Sequence, residues 1–260
     1  MLKILVVTHK EIPLIKDNSL FNVIQVNTLN NPLIYPNILT DATKDNIANK
    51  NSNYSELTVS YWMWKNMGEY KYVGLCHYRR VFNFFSSPFS FQPSTTKIVS
   101  SKQFLASKTA KISPEKLKLK LLKTLKKYDV ILPGTMNFRD DKGNKISISE
   151  QYAKEHRKSD FDLIKKITIQ KYPKYKDSIK TIFDQGSEFC YGNMFISSKK
   201  IWDDYHKWLF DILFEFEKQI EIPKDPYQAR IFGFLSERLF TLYFIHNNFK
   251  KKTMQVFFIK

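Results

Sequence analysis

The chain has 260 residues, of which 43% are hydrophobic and 15% aromatic, and its formal net charge is +17. This content of large apolar residues excludes a disordered chain, because disordered chains lack the residues whose burial offsets the entropy of ordering. The charge predicts an anionic partner, either nucleic acid, a phospholipid surface or a phosphorylated small molecule. The lysine-rich stretches at 116–127, 165–180 and 250–252 are typical of solvated helix faces.

Cysteine usage and hydropathy indicate the compartment. Cys76 and Cys190 each lie in an apolar or aromatic run, which indicates buried thiols and a reducing compartment. The apolar start at residues 1–7 is too short for a signal peptide, and no window approaches the run of about 20 apolar residues that spans a bilayer. We therefore expect a cytoplasmic protein whose membrane contact is peripheral, at the inner face of the plasma membrane.

The first half of the chain alternates apolar runs with polar segments. Residues 2–8 form a β-branched run that predicts a buried strand, and the Asn-rich stretch 27–53 predicts a loop with short elements. A helix is expected to open at Ser55. The apolar run 72–76 predicts another buried strand, and it leads directly into a polar cluster. Parallel-sheet proteins bind ligands beyond the carboxyl ends of their strands, so we expect a site there.

The second half is predicted to be richer in helix. Residues 83–112 predict a loop or lid, and strands are expected at 128–132 and 189–196. Further helices are expected at 114–127, 149–171, 173–184 and, with a break at 222–225, 199–249. The alternation of short buried strands with longer helices predicts an α/β fold with a mainly parallel sheet.

The common phosphate-binding and metal-binding motifs are absent. The sequence contains no GxxxxGK[ST], no GxGxxG after the first strand, no CxxC, no HExxH and no GxSxG. Only seven glycines occur, so a glycine-rich phosphate cradle is not expected. A bound pyrophosphate would therefore be held by side-chain cations or by a metal.

The run His77-Tyr78-Arg79-Arg80, after the strand at 72–76, supplies such cations. Guanidinium groups have a fixed donor geometry that matches phosphate oxygens. Because neighbours on an extended segment point to opposite sides, one of the two arginines is expected to face the ligand. The alternative is that one arginine pairs with a buried carboxylate while Tyr78 packs in the core.

Two further clusters contain polar residues within apolar surroundings. Asn193 follows Gly192 in an apolar run, and it either bonds to neighbouring backbone or faces a substrate hydroxyl. Gly233 predicts a turn and Ser236 a helix cap, which would place Glu237 in the first helical turn. The alternative role of Glu237 is that of a general base.

Taken in order, these segments resemble the HYRR-containing bacterial glycosyltransferases of capsule and O-antigen gene clusters, a family formerly described as a domain of unknown function. The similarity covers nearly the whole chain. It is carried by Thr8-His9-Lys10, Asp45-Asn46-Ile47, residues 54–58, 61–66, 74–80, 192–196, 208–213 and 232–239. The resemblance implies a GT-A-like, Rossmann-like α/β domain in which a nucleotide-sugar donor lies across the strand ends.

The resemblance also implies residue roles. Glu237 would be the catalytic base, while Arg79, Arg80 and His77 would stabilise the departing diphosphate. Donor or substrate contacts are implied for Thr8, His9, Lys10, Asp45, Asn46, Tyr78, Asn193 and Arg238. Glu56 has the alternative structural role of pairing one of the arginines. The HYRR run stands where GT-A enzymes have a DxD metal motif, so metal independence is expected, with Mg²⁺ or Mn²⁺ as the alternative.

The expected reaction is hexosyl transfer, with a UDP-sugar favoured and UDP-galactofuranose or UDP-galactose as candidates. The acceptor would be a lipid-linked or growing capsular or O-antigen polysaccharide, and the transfer would be inverting. One domain is expected over 1–260, with 1–135 binding the nucleotide sugar and 136–260 forming the acceptor and catalytic part. The alternatives are a basic module for nucleic acid or anionic lipid, and a nucleotide-sugar hydrolase. Nucleic acid is not expected as a partner, because the sequence shows no basic patch interleaved with aromatic residues.

Overall fold

The computed structural model describes residues 1–11, 15, 17–85 and 95–260. Over these ranges, the chain forms a ten-stranded sheet, a two-stranded sheet and flanking helices. The strands are β1 (Leu2–Thr8), β2 (Phe21–Gln25), β3 (Leu39–Thr40), β4 (Tyr72–His77), β5 (Arg80–Phe82), β6 (Thr96–Val99), β7 (Val130–Pro133), β8 (Met136–Asn137), β9 (Glu188–Phe189), β10 (Ile196–Ser198), β11 (Lys251–Met254) and β12 (Val256–Ile259).

The helices cover both sides of the large sheet. The α-helices are α1 (Asn51–Tyr54), α2 (Leu57–Asn66), α3 (Ser101–Ala106), α4 (Lys108–Lys111), α5 (Pro114–Leu125), α6 (Ile148–Glu155), α7 (Lys158–Lys171), α8 (Lys176–Ile179), α9 (Lys199–Glu217) and α10 (Ile231–His246). Three-residue 3₁₀ turns occupy Ala48–Lys50, Pro173–Tyr175 and Gln228–Arg230, and a π turn occupies Lys180–Asp184. None of the helices in the described ranges is long and apolar enough to cross a membrane.

The strand order of the large sheet is β11-β7-β10-β4-β1-β2-β3. β1 is parallel to both β2 and β4, whereas β10 is antiparallel to β4 and β7. A short arm leaves β4 through β5 and β12 to β6. The prediction of an α/β fold with a mainly parallel sheet is confirmed, with β10 as an antiparallel insertion.

Strand β1 shows why this sequence forms a two-sided sheet. Ile4 and Val6 pack in the core on one side, and Leu5 and Val7 pack in the core on the other. Successive side chains of a strand point to opposite faces, so a continuous apolar run fits a strand buried on both faces. β4 continues the pattern, with Leu75 in one core and Cys76 in the other.

The structure contradicts two predictions of local structure, a strand at 189–196 and a loop at 83–112. Residues 189–196 do not form one strand, because Gly192 has φ +96° and Asn193 φ +44°, which interrupts an extended chain between β9 and β10. Residues 83–112 are not one loop either: β6, α3 and α4 occupy most of 96–111. Residues 86–94 of that predicted lid lie outside the described residues.

The predicted turn at Gly233 and cap at Ser236 are also wrong. Both residues lie inside α10, where Ser236 Oγ donates 2.8 Å to the carbonyl of Gly233 one turn earlier. An added Cβ at Gly233 would lie 3.7 Å from Ser55 Oγ, an ordinary van der Waals distance, so packing does not require a glycine at this position. Glu237 therefore lies beyond the first turn of α10 and does not owe its position to capping.

Candidate functional site

A cavity of about 640 Å³ opens where β1 and β4 end. Its wall consists of side chains that follow those two strands, the loop after β2, the start of α2, and two residues from the far end of the chain, Arg230 and Phe258. The size lies within the roughly 300–1,000 Å³ of typical small-molecule sites. The predicted location beyond the carboxyl ends of parallel strands thus contains a cavity.

Both arginines of the HYRR run line this cavity. Tyr78 and Arg79 form a tight turn between β4 and β5, in which His77 pairs with Arg80, so the alternation of an extended strand does not apply. Both arginines thus line the cavity, whereas the sequence predicted that one of them would face the ligand. Arg79 Nε donates 3.0 Å to the carbonyl of Ile259. In the described parts of the chain neither arginine forms an ion pair, so neither has the carboxylate partner considered as an alternative.

A third guanidinium, that of Arg230, reaches the same cavity from the turn before α10. Its Nε donates 3.2 Å to Ser55 Oγ. Burial, and then the charges of Lys10 and Arg230, lower the pKa of His9, which lines the cavity. Arg230 was not among the residues predicted from the sequence, although its position directly before the segment that contains Glu237 could have indicated it.

The Thr8-His9-Lys10 segment contributes unequally. Thr8 and His9 line the cavity, and Lys10 does not. Thr8 Oγ1 donates to the carbonyl of Lys10 and accepts from its N–H at 3.0 Å, which bends the chain after β1. Tyr78 lines the cavity, its ring meeting that of His9 edge-on at 5.1 Å and the Lys10 ammonium at 5.4 Å.

Glu56 is the one carboxylate on the cavity wall among the residues that the structure describes. Its Oε1 accepts a 3.0 Å hydrogen bond from Asn193 Nδ2, and the same amide donates 2.8 Å to Ser236 Oγ. No arginine of the described chain pairs with Glu56, so the structural role considered for it is not observed. Asn193 Oδ1 is buried without a partner in the same set of residues.

Glu237 contacts Gly192, the residue that precedes Asn193 in the loop before β10. The backbone N–H of Gly192 donates 2.8 Å to Glu237 Oε1, and the carbonyl of Gly192 is 2.9 Å from His77 Nε2. Because a carbonyl only accepts, we assign the proton of His77 to Nε2. The side chain of Glu237 is 16% exposed. Burial raises its pKa, against the opposing charge of Arg238 and with a further increase from Glu56.

His77 is buried at the base of the cavity. Burial lowers its pKa, Arg80 lowers it further, and Glu56 and the hydrogen bond to Gly192 act in the opposite direction. The ring is therefore neutral at pH 7. It positions Gly192 and adds no positive charge to the cavity.

Five predicted substrate-binding residues do not line the cavity, namely Lys10, Asn193, Asp45, Asn46 and Arg238, and the predicted base Glu237 does not line it either. Asp45 accepts 3.1 Å from the Tyr61 hydroxyl, and Asn46 Oδ1 accepts 3.1 Å from the N–H of Ala48, so both hold the loop before α1 in shape. Arg238 is buried, with hydrogen bonds to Phe234 and Gln151 and its Nη1 3.7 Å from Glu237 Oε2. Asp45, Asn46 and Arg238 therefore hold neighbouring segments in place and do not form the cavity wall.

A second cavity of about 180 Å³ adjoins the first. The two share Arg80 and Phe258, and the second is also lined by Tyr191, Met194 and Pro133. The ring of Phe258 lies 4.9 Å from the Arg79 guanidinium carbon and 5.7 Å from that of Arg80. Arg80 therefore stands between two adjoining spaces, one polar and one bordered by an aromatic ring and a methionine.

The donor set of the cavity does not meet the needs of Mg²⁺ or Mn²⁺. Both ions prefer several oxygen ligands. Within residues 1–11, 15, 17–85 and 95–260, no three His, Cys, Asp or Glu side chains converge on a point that could hold a metal. The cavity wall offers Glu56 as its one carboxylate among the described residues, so the residues present do not fit a protein-held divalent cation.

Comparisons with known proteins identify the fold and the family of the chain. The chain is similar to a solved structure of WbbM, described as a bifunctional glycosyltransferase in its apo form, with 28% identity and a TM-score of 0.82. The match covers 100% of this chain and 45% of that one, so the chain spans a little under half of the WbbM chain. The mostly parallel sheet with its flanking helices thus has a GT-A-like α/β fold. Residues 3–248 match the family described as a domain of unknown function (DUF4422), and the chain belongs to that family. No curated protein sequence matches it.

Proposed function

We propose that the chain transfers a sugar from a nucleotide-sugar donor to a glycan acceptor. The observation that carries the proposal is the cavity beyond β1 and β4, where Arg79, Arg80 and Arg230 converge with no carboxylate partner among the described residues. Guanidinium groups offer paired N–H donors that match the oxygens of a diphosphate. The similarity to part of a bifunctional glycosyltransferase supports the same reaction class.

In the proposed reaction, an acceptor hydroxyl oxygen bonds to the anomeric carbon of the sugar as the bond from that carbon to the diphosphate breaks. The electron pair and negative charge pass to the leaving nucleoside diphosphate. Arg79, Arg80 and Arg230 stabilise that charge, which is the role a metal ion has in many enzymes of this fold. His77 holds the Gly192 loop in place through its Nε2–H.

The hydroxyl proton passes to a carboxylate. Glu237 is the proposed base, since burial raises its pKa toward the range in which a carboxylate accepts a proton effectively. Glu56 is the second candidate, because it lies on the cavity wall and a base must reach the proton that it removes. Glu56 contacts Asn193 and Glu237 contacts Gly192, so a small movement of the loop that contains these adjacent residues would move the hydrogen-bond partners of both carboxylates.

The second cavity is the proposed acceptor site. It adjoins the donor cavity at Arg80, and the Tyr191 ring is available to pack against a sugar face. The proposed stereochemistry is inversion, in which the acceptor oxygen attacks the anomeric carbon from the side opposite the diphosphate. A hexosyl donor carried by UDP is favoured, with UDP-galactofuranose and UDP-galactose as candidates. The proposed acceptor is a lipid-linked or growing capsular or O-antigen glycan on the cytoplasmic side of the membrane.

The direct test measures binding and turnover separately. UDP, GDP and CMP with their sugars are added to the full chain in a thermal-shift panel, and a ligand at 100 times its Kd stabilises a protein by about 2.7 kcal/mol. Release of nucleoside diphosphate is then followed with and without glycan acceptors. We expect one nucleotide class to stabilise the chain and release to depend on acceptor. Release that no acceptor accelerates would indicate a hydrolase, and stabilisation by oligonucleotides alone would indicate a nucleic-acid module.

A further inference from the structure

The positive charge of the chain is concentrated on one segment. Residues 97–127 contain ten lysines and a single acidic residue, Glu115, so this segment carries more than half of the net charge of +17. It forms β6, α3, α4 and α5. The donor cavity does not account for this charge, because no lysine from the segment lines it.

Ion pairing distinguishes this segment from the other lysine-rich helices. On α7 and α9, Lys158 pairs with Asp162, Lys171 with Asp211 and Lys200 with Asp204. In contrast, none of the ten lysines between 97 and 127 forms an ion pair with any described residue. A charge-balanced surface needs no partner, whereas a cluster of unpaired like charges attracts an anionic one.

The α5 face is defined as the exposed residues of α5 and of the two positions after it, namely Glu115, Lys116, Leu119, Lys120, Lys123, Lys126 and Lys127. The opposite side of the helix buries Leu117, Leu121 and Leu125. Leu119 is 69% exposed, and residues three or four apart on a helix are neighbours, so Lys116 and Lys123 lie beside it together with one acidic residue, Glu115. The α5 face is therefore cationic with an apolar residue at its centre.

Neighbouring elements extend the positive charge. Burial, and then Lys118 on α5, lower the pKa of Lys3 on β1. Burial, and then Lys252 on β11, lower the pKa of Lys120. Two more exposed aliphatic residues belong to the charged segment, Ile98 at 61% and Leu105 at 49% exposure.

We propose that the α5 face docks on a lipid bilayer rich in anionic headgroups. Lysine ammonium groups reach phosphate headgroups on flexible stems, and an exposed leucine enters the boundary with the acyl chains. Residues 97–127 contain no arginine, and no aromatic side chain of 95–127 is among the large exposed apolar residues. Nucleic-acid surfaces use arginine and exposed rings to contact phosphates and stack on bases, so the composition favours lipid.

The inference does not rest on transferase activity, and vesicle binding tests it directly. The full chain is sedimented with phosphatidylcholine vesicles that contain or lack phosphatidylglycerol. We expect binding only with phosphatidylglycerol and a decrease as salt is raised. Each lysine contributes about a fivefold change in partition, so K116Q/K123Q/K126Q should lower it on the order of 100-fold. The matched control is K166Q/K176Q/K180Q, which removes the same charge from exposed lysines of the other helices.

A second measurement reports on Leu119. The native cysteines Cys76 and Cys190 are buried, so a cysteine at position 119 can be labelled selectively with an environment-sensitive dye. We expect Leu119→Cys to give a blue shift with phosphatidylglycerol vesicles, and Ser159→Cys on α7 to give none. Three results would each overturn the proposal: equal losses of vesicle binding in the two triple variants, no blue shift of the dye at position 119, or preferential binding of an oligonucleotide. Transfer to a soluble acceptor, assayed in parallel, should be the same in both triple variants.

Discussion

Glu56 Oε1 accepts a hydrogen bond of 3.0 Å from Asn193 Nδ2, across a separation of 137 residues. The preceding residue, Gly192, donates its backbone N–H to Glu237 at 2.8 Å. One short loop before β10 therefore positions both carboxylates of the proposed reaction. Asn193 keeps a left-handed backbone with φ +44°, which costs free energy and is maintained here by the contacts of its amide group.

The two carboxylates can be separated by isosteric substitution. We expect Glu237→Gln to lower kcat by about 10²–10⁴-fold while donor binding is retained, because general-base catalysis contributes a factor of this size. Glu56→Gln should have the smaller effect. Exposed Glu155→Gln on α6 is the control. Full activity of Glu237→Gln together with loss in Glu56→Gln would transfer the role to Glu56.

The arginines of the cavity should determine donor affinity. A hydrogen bond to a charged group contributes about 1.5–3 kcal/mol, so Arg80→Gln and Arg230→Gln should each weaken nucleotide binding about 10–100-fold. Titration calorimetry with the nucleoside diphosphate measures this directly. Arg139 is exposed and donates to the carbonyl of Gly143, away from the cavity, so Arg139→Gln is the matched control. An unchanged Kd in both cavity variants would contradict a diphosphate site.

Chelation tests the proposal that arginines replace a metal. We expect transfer in excess EDTA to match transfer without it, because the proposed charge stabilisation comes from guanidinium groups. The rate of acceptor-dependent diphosphate release is the measurement. Loss of that rate with EDTA and its recovery with Mn²⁺ would show that a cation participates.

Gly74 should be intolerant of a side chain. It lies on β4 opposite Ile196, and an added Cβ would stand 2.7 Å from Ile196 Cγ1, in the middle of the sheet. Overpacking of this kind costs about 1–3 kcal/mol, so Gly74→Ala should lower the free energy of unfolding in urea by that amount. Gly68 has no heavy atom within 4 Å of an added Cβ. Gly68→Ala should therefore leave stability unchanged, and equal effects would refute the packing argument.

His206 should make the fold sensitive to acid. Burial lowers its pKa to about 3 in the folded protein, from an ordinary 6.5. Below pH 6.5 the unfolded chain binds a proton that the folded chain does not, so stability is lost as pH falls toward 3, by about 1.4 kcal/mol per unit. His206→Leu should flatten this slope in urea titrations between pH 6 and pH 4. The slope is the quantity to compare, because the packing lost in His206→Leu lowers the free energy of unfolding equally at every pH. An unchanged slope would show that His206 is not the group responsible.

Local pattern alone was sufficient for much of the fold. The apolar runs of β1 and β4, the helices α5 and α9, and the polar cluster at His77 can all be read from neighbouring residues, because burial on two faces and helical periodicity are properties of short segments. The single helix predicted over 149–171 is wrong, because the chain forms two helices there, α6 and α7, with a break at His156 and Arg157. The predicted loop before α1 also matches, with only short elements over residues 27–53.

The grouping of the candidate site was decided by tertiary structure. Arg230, Glu56 and Phe258 reach the cavity of His77 only because distant segments pack together, and no spacing in the sequence encodes that distance. Arg79 and Arg80 both line the cavity because they lie at a turn whose geometry is set by pairing between β4, β5 and β12. The lysine runs are the clearest case. The runs 116–127 and 165–180 are alike in the sequence, but in the folded chain Asp184 pairs with Lys165, whereas no described acid forms an ion pair with a lysine of the α5 face. Composition determines how much charge a chain carries, and long-range packing determines which of it remains unneutralised.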